Sequence, residues 1–271
     1  MFEDVQPPDE IELVARRADL LELLTDRRLS KREIVDELGH SRSTVNRAIN
    51  RLTAAGLVDE TTDGCRTTLG GRLALEQYWQ YVSQSVDVLT AEKALSVLPT
   101  DVEMPVGAIT GSQVYTAGGD RPYEPYEAVY DVFDRSQGVR ACLRTISNRR
   151  SVETILGNAS EIHPFEVVFS ADLFRLMYAD WQGLVESLAD IETFRGFVSD
   201  DPLPFAIVLA NQQSGDDRQK TEVALVTYSE DNELGGVIIN DDPTAVVWAR
   251  DQYRNCRQNA RPMREAMVGR Q

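Results

Sequence analysis

Only three lysines, three cysteines and two histidines occur in 271 residues. The cysteines, Cys65, Cys142 and Cys256, lie far apart and form no CxxC or HxxxH spacing, so neither a disulfide framework nor a zinc site is encoded locally. Free thiols are the expectation, with no metal site and no cofactor. With only His40 and His163, any site that needs a histidine pair is excluded, and a histidine-based catalytic centre would rest on one residue. No run approaches the ~20 apolar residues of a membrane span. The start, MFEDVQPPDE, has neither a basic nor an apolar leader segment. A soluble, cytoplasmic chain with no membrane partner is expected.

With 42% hydrophobic and 27% charged residues, the chain has material for one large domain or two ordinary ones with buried cores. Acidic residues outnumber basic ones 44 to 28, a net charge of -16, and 25 of the 28 basic residues are arginine. Acid excess with so little lysine fits a halophilic cytosol, where a dense carboxylate surface keeps protein hydrated while molar salt screens repulsion. Against that background, residues 27–72 carry nine basic residues and six acidic ones, a local net of +3. A basic island in an acidic chain points to a polyanion partner.

The island has a legible local structure. Apolar spacing in DEIELVARRADLLELLTD predicts one first helix over residues 9–26. Ser30-Lys31-Arg32-Glu33 fits a capping box that opens a second helix ending near Leu38, with Gly39 as its left-handed stop. Ser41 then caps a third helix that carries Val45, Ala48, Ile49 and Leu52 on one side and ends at Gly56. Strand-prone residues 57–62, an Asp63-Gly64 hairpin turn and a return strand over 65–69 follow. Helix, helix, turn, helix, hairpin spells a winged helix-turn-helix. A long helix from Gly71 to Leu98 holds more apolar residues than one surface helix needs, so part of it is expected to pack against a second chain.

Beyond Pro99, β-prone and helical runs alternate. Strands are expected at Val106 to Thr116, Arg140 to Ile146, Phe165 to Phe169, Phe194 to Val198, Phe205 to Leu209, Glu222 to Tyr228 and Val237 to Ile239. Helices are expected at Tyr123 to Phe133, Arg150 to Leu156, Leu173 to Leu188 and Thr244 to Asn259. The fold class is therefore α/β (α+β): a winged helix-turn-helix over 1–72, a linking or dimerising helix over 73–100 and a mixed-sheet effector domain over 101–271.

On the third helix, Arg42, Ser43, Asn46, Arg47 and Asn50 share the face opposite the apolar stripe, with Arg51 on the flank and no acid among them. A helix in the DNA major groove needs this chemistry: arginine bonds guanine bidentately, asparagine bonds adenine, and short hydroxyls such as Ser41, Ser43 and Thr44 reach phosphate or base edges. Asn50 and Arg51 suit backbone contacts, as do Lys31 and Arg32 from the second helix. Arg66 is the natural wing contact, or equally a solvated hairpin arginine, and His40 is a phosphate contact or a neutral turn residue. The bland alternative, an ordinary amphipathic helix, sits badly with a chain that builds its other solvated faces from Asp and Glu.

No catalytic set emerges. The glycines of residues 108–112 and 117–120 fit neither GxGxxG nor a P-loop, and His163 is followed by Pro164 and Phe165 with no HxK signature. Asp200-Asp201 and Asp241-Asp242 read as acidic surface or helix caps. If the effector domain binds a ligand, loops at the carboxyl ends of its strands are the default place, which singles out Ser147, Ser170 and Asp200.

Residues 29–72, LSKREIVDELGHSRSTVNRAINRLTAAGLVDETTDGCRTTLGGR, resemble archaeal winged-helix transcriptional regulators of the ArsR/MarR-like kind. The segments EIHPFEVVFSADLF, DDPLPFAIVLAN and NDDPTAVVWARDQYRNCRQNARP resemble the effector domain of a haloarchaeal and methanogen regulator family named after a methanogen filamentation regulator. That resemblance implies an effector domain like that of archaeal TrmB-type regulators, a phospholipase D-like fold without catalytic residues. The expected function is a homodimeric, sequence-specific regulator that binds a pseudo-palindromic double-stranded operator under control of a small molecule or partner protein. Two other classes stay open: a winged helix that binds protein instead of DNA, and an enzyme fused to one.

Overall fold

The computed structural model describes residues 9–118, 121–146, 153, 157, 164–213 and 219–268. The chain packs as two units, Met1–Ser85 and Val86–Gln271.

In the first unit, α1 (Asp9–Arg16), α2 (Ala18–Asp26), α3 (Lys31–Leu38) and α4 (Arg42–Ala54) precede a hairpin of β1 (Val58–Thr61) and β2 (Gly64–Thr67), then the start of α5 (Leu69–Thr90). The single first helix expected from the periodicity is two. Arg17, at φ -130 and ψ 22, breaks it, which lets Val14 and the Leu20, Leu21 and Leu24 cluster all reach the core. The capping box forms as expected: Ser30 Oγ accepts from Glu33 N, and Glu33 Oε2 accepts from Ser30 N at 2.8 Å. The Ser30 hydroxyl, which also donates to Glu33 Oε2 at 2.7 Å, and then the Ser30 backbone N–H hold the Glu33 carboxyl below its ordinary pKa of 4.5.

The hairpin differs by one residue from the expected Asp63-Gly64 turn. Thr61 pairs with Gly64, so Thr62 and Asp63 form the loop and Gly64 opens the return strand at φ +118. The reason is a third strand contact, Leu29 bridging Cys65, which brings backbone onto the hairpin. A Cβ on Gly64 would stand 2.7 Å from the Leu29 carbonyl carbon and oxygen. Gly64→Ala is thus expected to destabilise this unit by about 3 kcal/mol, through left-handed strain and a backbone clash together, read as a lowered midpoint in denaturant.

The second unit is a three-layer α/β arrangement around one sheet of order β10-β6-β5-β4-β7-β8-β9-β3. The strands are β3 (Gln113–Tyr115), β4 (Gly138–Leu143), β5 (Phe165–Ser170), β6 (Phe194–Ser199), β7 (Phe205–Gln213), β8 (Gln219–Tyr228), β9 (Leu234–Asn240) and β10 (Arg261–Pro262). β4, β5 and β6 are parallel, and the other pairings are antiparallel. Side chains alternate between faces: Ala206, Val208 and Ala210 enter one core, while Phe205, Ile207 and Leu209 enter the other. Burial on both faces explains why runs such as FEVVFS and FAIVLAN are almost continuously apolar. The first core is covered by α7 (Glu124–Asp134), α8 (Ala171–Asp180), α9 (Gln182–Asp190) and α11 (Met263–Val268). The second is covered by α10 (Pro243–Gln258) with α6 (Glu92–Leu95).

Several boundaries move. The strand expected at Val106 to Thr116 is a 3-10 turn, Val106–Ala108, followed by only three paired residues, because Asn240 Nδ2 pins the carbonyls of Ala108 and Thr110 at 2.9 and 3.1 Å. The helix expected to reach Leu98 stops at Thr90, and α6 then lays Ala94 against β9, where a Cβ on Gly236 would meet the Ala94 Cβ at 2.8 Å. β10 and α11 were not expected. The expected helix at Arg150 to Leu156 lies largely outside the described residues.

Candidate nucleic-acid interface

α3 ends at Leu38, Gly39 at φ +64 turns the chain, and α4 starts at Arg42. His40 Nε2 sits 3.2 Å from Asp19 Oδ2, tying that turn to α2. Ser41 caps α4: its hydroxyl accepts from Thr44 N at 3.2 Å and lies 3.0 Å from Ser43 Oγ and 2.9 Å from Thr44 Oγ1. Ser41 and Thr44 therefore shape the helix start, and Thr44 is only half-exposed. Val45, Ala48, Ile49 and Leu52 are buried, and this fixes which face is outward. Arg42, Ser43, Asn46, Arg47, Asn50 and Arg51 are all exposed.

The electrostatics of this helix set it apart from its neighbours. α1, α2 and α3 each place acid in their first turn, where the helix dipole favours it. α4 has none there and begins with Arg42, a cation at the positive end of the dipole. That choice does nothing for the helix alone and suits an external anion.

The nine basic residues of the island divide into two groups. Arg27 pairs with Glu37 at 2.6 Å, Arg28 with Asp59 at 3.0 Å and Lys31 with Glu60 at 2.6 Å. Arg28 also donates to Thr61 Oγ1 and the Gly64 carbonyl, so the Arg28 and Lys31 pairs brace the hairpin against α3 and the Leu29 strand, while the Arg27 pair ties the loop to α3. Lys31 is thus a wing brace before it is a phosphate contact. Among the described residues, Arg32, Arg42, Arg47, Arg51, Arg66 and Arg72 have no carboxylate partner. Arg47 Nε reaches only the Ser43 carbonyl, at 3.4 Å. Arg66 is exposed on the hairpin and, with Arg72, lines a groove of about 250 Å³ beside Thr25, Thr67 and Thr68.

In the second unit, Ser170 and Asp200 line one groove of about 870 Å³ at the carboxyl ends of the parallel strands. Ser147 and His163 lie outside the described residues. Ser170 Oγ is already engaged, donating to the Arg144 carbonyl at 2.8 Å and capping α8 through Leu173 N at 3.1 Å. Asp200 is exposed, 3.7 Å from Arg261. The sequence reading missed Arg144, Gln252 and Asn255 on the same groove. Arg144 follows β4 directly and donates to Asn232 Oδ1, the Pro204 carbonyl and the Ser229 carbonyl at 3.1, 3.0 and 2.9 Å, so it fastens the groove walls. Gln252 and Asn255 come from α10, and nothing short of the tertiary packing brings them to the strand ends. Among the described residues no group of three or more His, Cys, Asp or Glu could hold a metal ion, and no helix is long and apolar enough to cross a membrane.

Comparison with known proteins gives two family matches. The HVO_A0261 N-terminal domain matches residues 9–88, and the middle domain of methanogenesis regulatory protein FilR1 matches residues 122–259. Among solved structures, the chain is similar to TrmBL2, an archaeal chromatin protein, at 12% identity and TM-score 0.41, covering 94% of this chain and 99% of that one. It is also similar to Nuc of Salmonella typhimurium, a phospholipase D family member, at 9% identity and TM-score 0.40, covering 56% of this chain and 97% of that one. NucT from Helicobacter pylori aligns at 11% identity and TM-score 0.36, covering 56% and 98%. No curated protein matches the chain. With more than half of its length matched by one family model, the chain belongs to the family of the methanogenesis regulatory protein FilR1.

Proposed function

We propose that this protein is a DNA-binding transcriptional regulator that acts as a cytoplasmic homodimer and reads a pseudo-palindromic operator with α4. The observation that carries this reading is the exposed, acid-free face of α4, with Arg42, Arg47 and Arg51 lacking any carboxylate partner among the described residues of a chain whose net charge is -16. Arg42, Ser43, Asn46 and Arg47 stand nearest the bases, Asn50 and Arg51 hold the backbone, and Arg32 and Arg66 reach flanking phosphates. Lys31 contributes only if its pair with Glu60 opens.

The dimer rests on α5. Trp79, Val82, Val86 and Leu89 recur at steps of three, four and three residues, the 3.5-residue period of a coiled-coil seam, while Leu75 one step earlier is taken up by the core of the first unit. Trp79, Val86 and Leu89 are 44%, 54% and 72% exposed, large apolar surfaces left uncovered among the described residues. A two-fold partner presenting the same stripe covers them and sets two winged helices on half-sites about one helical turn, ~10 bp, apart. The second unit serves as the sensor in this reading, and its groove of about 870 Å³ is of a size to hold a small molecule or a partner's peptide.

The test is a binding titration with DNA from upstream of the protein's own coding region against a scrambled duplex, in molar KCl. Saturable preference for the upstream DNA supports the reading, and equal binding or none contradicts it. The acidic flanks are expected to hold cations near the interface. The affinity should therefore fall less steeply between ~0.5 and ~2 M KCl than the loss given by about six to ten phosphate contacts on an ordinary basic regulator.

A further inference from the structure

A second cluster of arginines lies in the second unit, on the α10 side of its sheet. Arg140 of β4 stands opposite Leu209 of β7 in register, two residues before Cys142 and so on the same face. α10 crosses that face with Arg250, Arg254 and Arg257 at steps of four and three residues, which puts three guanidinium groups on one side of the helix. Helix and sheet together form a cleft of about 370 Å³ lined by these four arginines, Leu209, Tyr253 and a glutamine, with no acid among the lining residues.

Neighbouring acids are engaged with other groups. Asp251 pairs with Arg254 at 2.7 Å. Glu166, beside Arg140 in register on β5, accepts from the Tyr253 hydroxyl at 3.0 Å. Among the described residues Arg140, Arg250 and Arg257 have no carboxylate partner. Arg250 donates to Thr221 Oγ1 at 3.0 Å, and Arg257 lies over the Phe197 ring at 3.3 Å. Like charges four apart on a helix, as Arg250 and Arg254 are, destabilise it, and this chain has 44 acidic residues with which to relieve them. An acid-free arginine cleft in such a chain suits an anion from outside.

We propose that this cleft is a binding site for a small phosphorylated ligand. A phosphoryl group carries close to two negative charges and three acceptor oxygens on one atom, so guanidinium forks from different walls can share it. A lone carboxylate offers two oxygens in one plane and is satisfied by one fork. Arg140 on the strand wall and Arg250 and Arg257 on the helix wall match the first demand. Leu209 and the Tyr253 ring supply an apolar side for the rest of the molecule. The volume falls within the ~300–1,000 Å³ of small-molecule sites, and a recess of this size does not admit a duplex. The site shares no lining residue with the groove of about 870 Å³, and it does not depend on α4 reading an operator.

The test is a calorimetric titration of the full-length protein with pyrophosphate in molar KCl, where salt screens diffuse attraction. The expected result is saturable uptake of one pyrophosphate per chain. In Arg140→Ala/Arg250→Ala the dissociation constant should rise at least about tenfold, since two charge-assisted contacts are lost. Both side chains are exposed, so the melting curve without ligand should be unchanged. Arg140→Lys, which keeps the charge and loses the fork, should weaken binding by about threefold and disturbs the fold least. Arg42→Ala/Arg47→Ala should take up pyrophosphate as the wild type does. No uptake by the wild type overturns the proposal. So does uptake that survives both cleft variants or is lost in the α4 variant, and so does citrate bound as tightly as pyrophosphate, which marks charge without recognition of phosphate.

Discussion

Replacing Arg42 and Arg47 together by alanine is expected to weaken operator binding at least about 30-fold while leaving the fold intact. Each bidentate arginine–guanine contact discriminates by about 1–3 kcal/mol, so two contacts give roughly 2–6 kcal/mol, and every 1.4 kcal/mol is tenfold. Stability should move little, because both side chains are exposed and neither is paired with a carboxylate among the described residues. Binding to the scrambled duplex should fall far less, since loss of base contacts removes discrimination first. Lys31→Ala is the informative contrast. Its ammonium is held by Glu60 at 2.6 Å, so the expected change in operator affinity is below about threefold. A titration series over the three proteins, with melting curves alongside, checks all of this.

Placing aspartate at both Val86 and Leu89 is expected to convert the dimer to a monomer. The two side chains sit one step of three apart on the α5 seam, and a pair of carboxylates there meets the same pair from the partner across the two-fold axis. Each is exposed in the isolated chain, so the double substitution disturbs the dimer and spares the monomer core. Sedimentation should show half the mass. Operator affinity should drop by roughly 10²–10⁴-fold, because the second half-site is no longer presented at high effective concentration. Mass and affinity both unchanged would place the dimer elsewhere.

Local chemistry in the sequence translated directly into structure where it was self-contained. Ser30 with Glu33, Gly39, Ser41 and the Val45, Ala48, Ile49, Leu52 stripe all specify their own neighbourhood, and α3, the turn and α4 follow from them. The break of the first helix at Arg17 is local, and other departures come from a partner distant in sequence. Gly64 looked like half of a two-residue turn, and the Leu29 strand, 35 residues upstream, moves it into β2. Val106 to Thr116 is β-prone, and Asn240 holds its first half in a 3-10 turn from 132 residues away. The pairing of Lys31 with Glu60 likewise joins a helix to a wing, so a count of basic residues overstates the charge free to meet phosphate. The mixed sheet was legible as a class from its continuous apolar runs, but the parallel order of β4, β5 and β6 within it was not. In the groove, Ser170 and Asp200 followed from strand ends alone, whereas Arg144, Gln252 and Asn255 depend on how α10 and the loops close over them.

The most direct measurement is a hydroxyl-radical footprint of the wild-type protein and the Arg42→Ala/Arg47→Ala variant on the upstream DNA. The account requires two protected patches on one face of the duplex, about one helical turn (~10 bp) apart, present with the wild type and absent with the variant. Protection that survives unchanged in the variant, or no protection by the wild type at saturating concentration, would contradict the assignment of α4 as the reading helix.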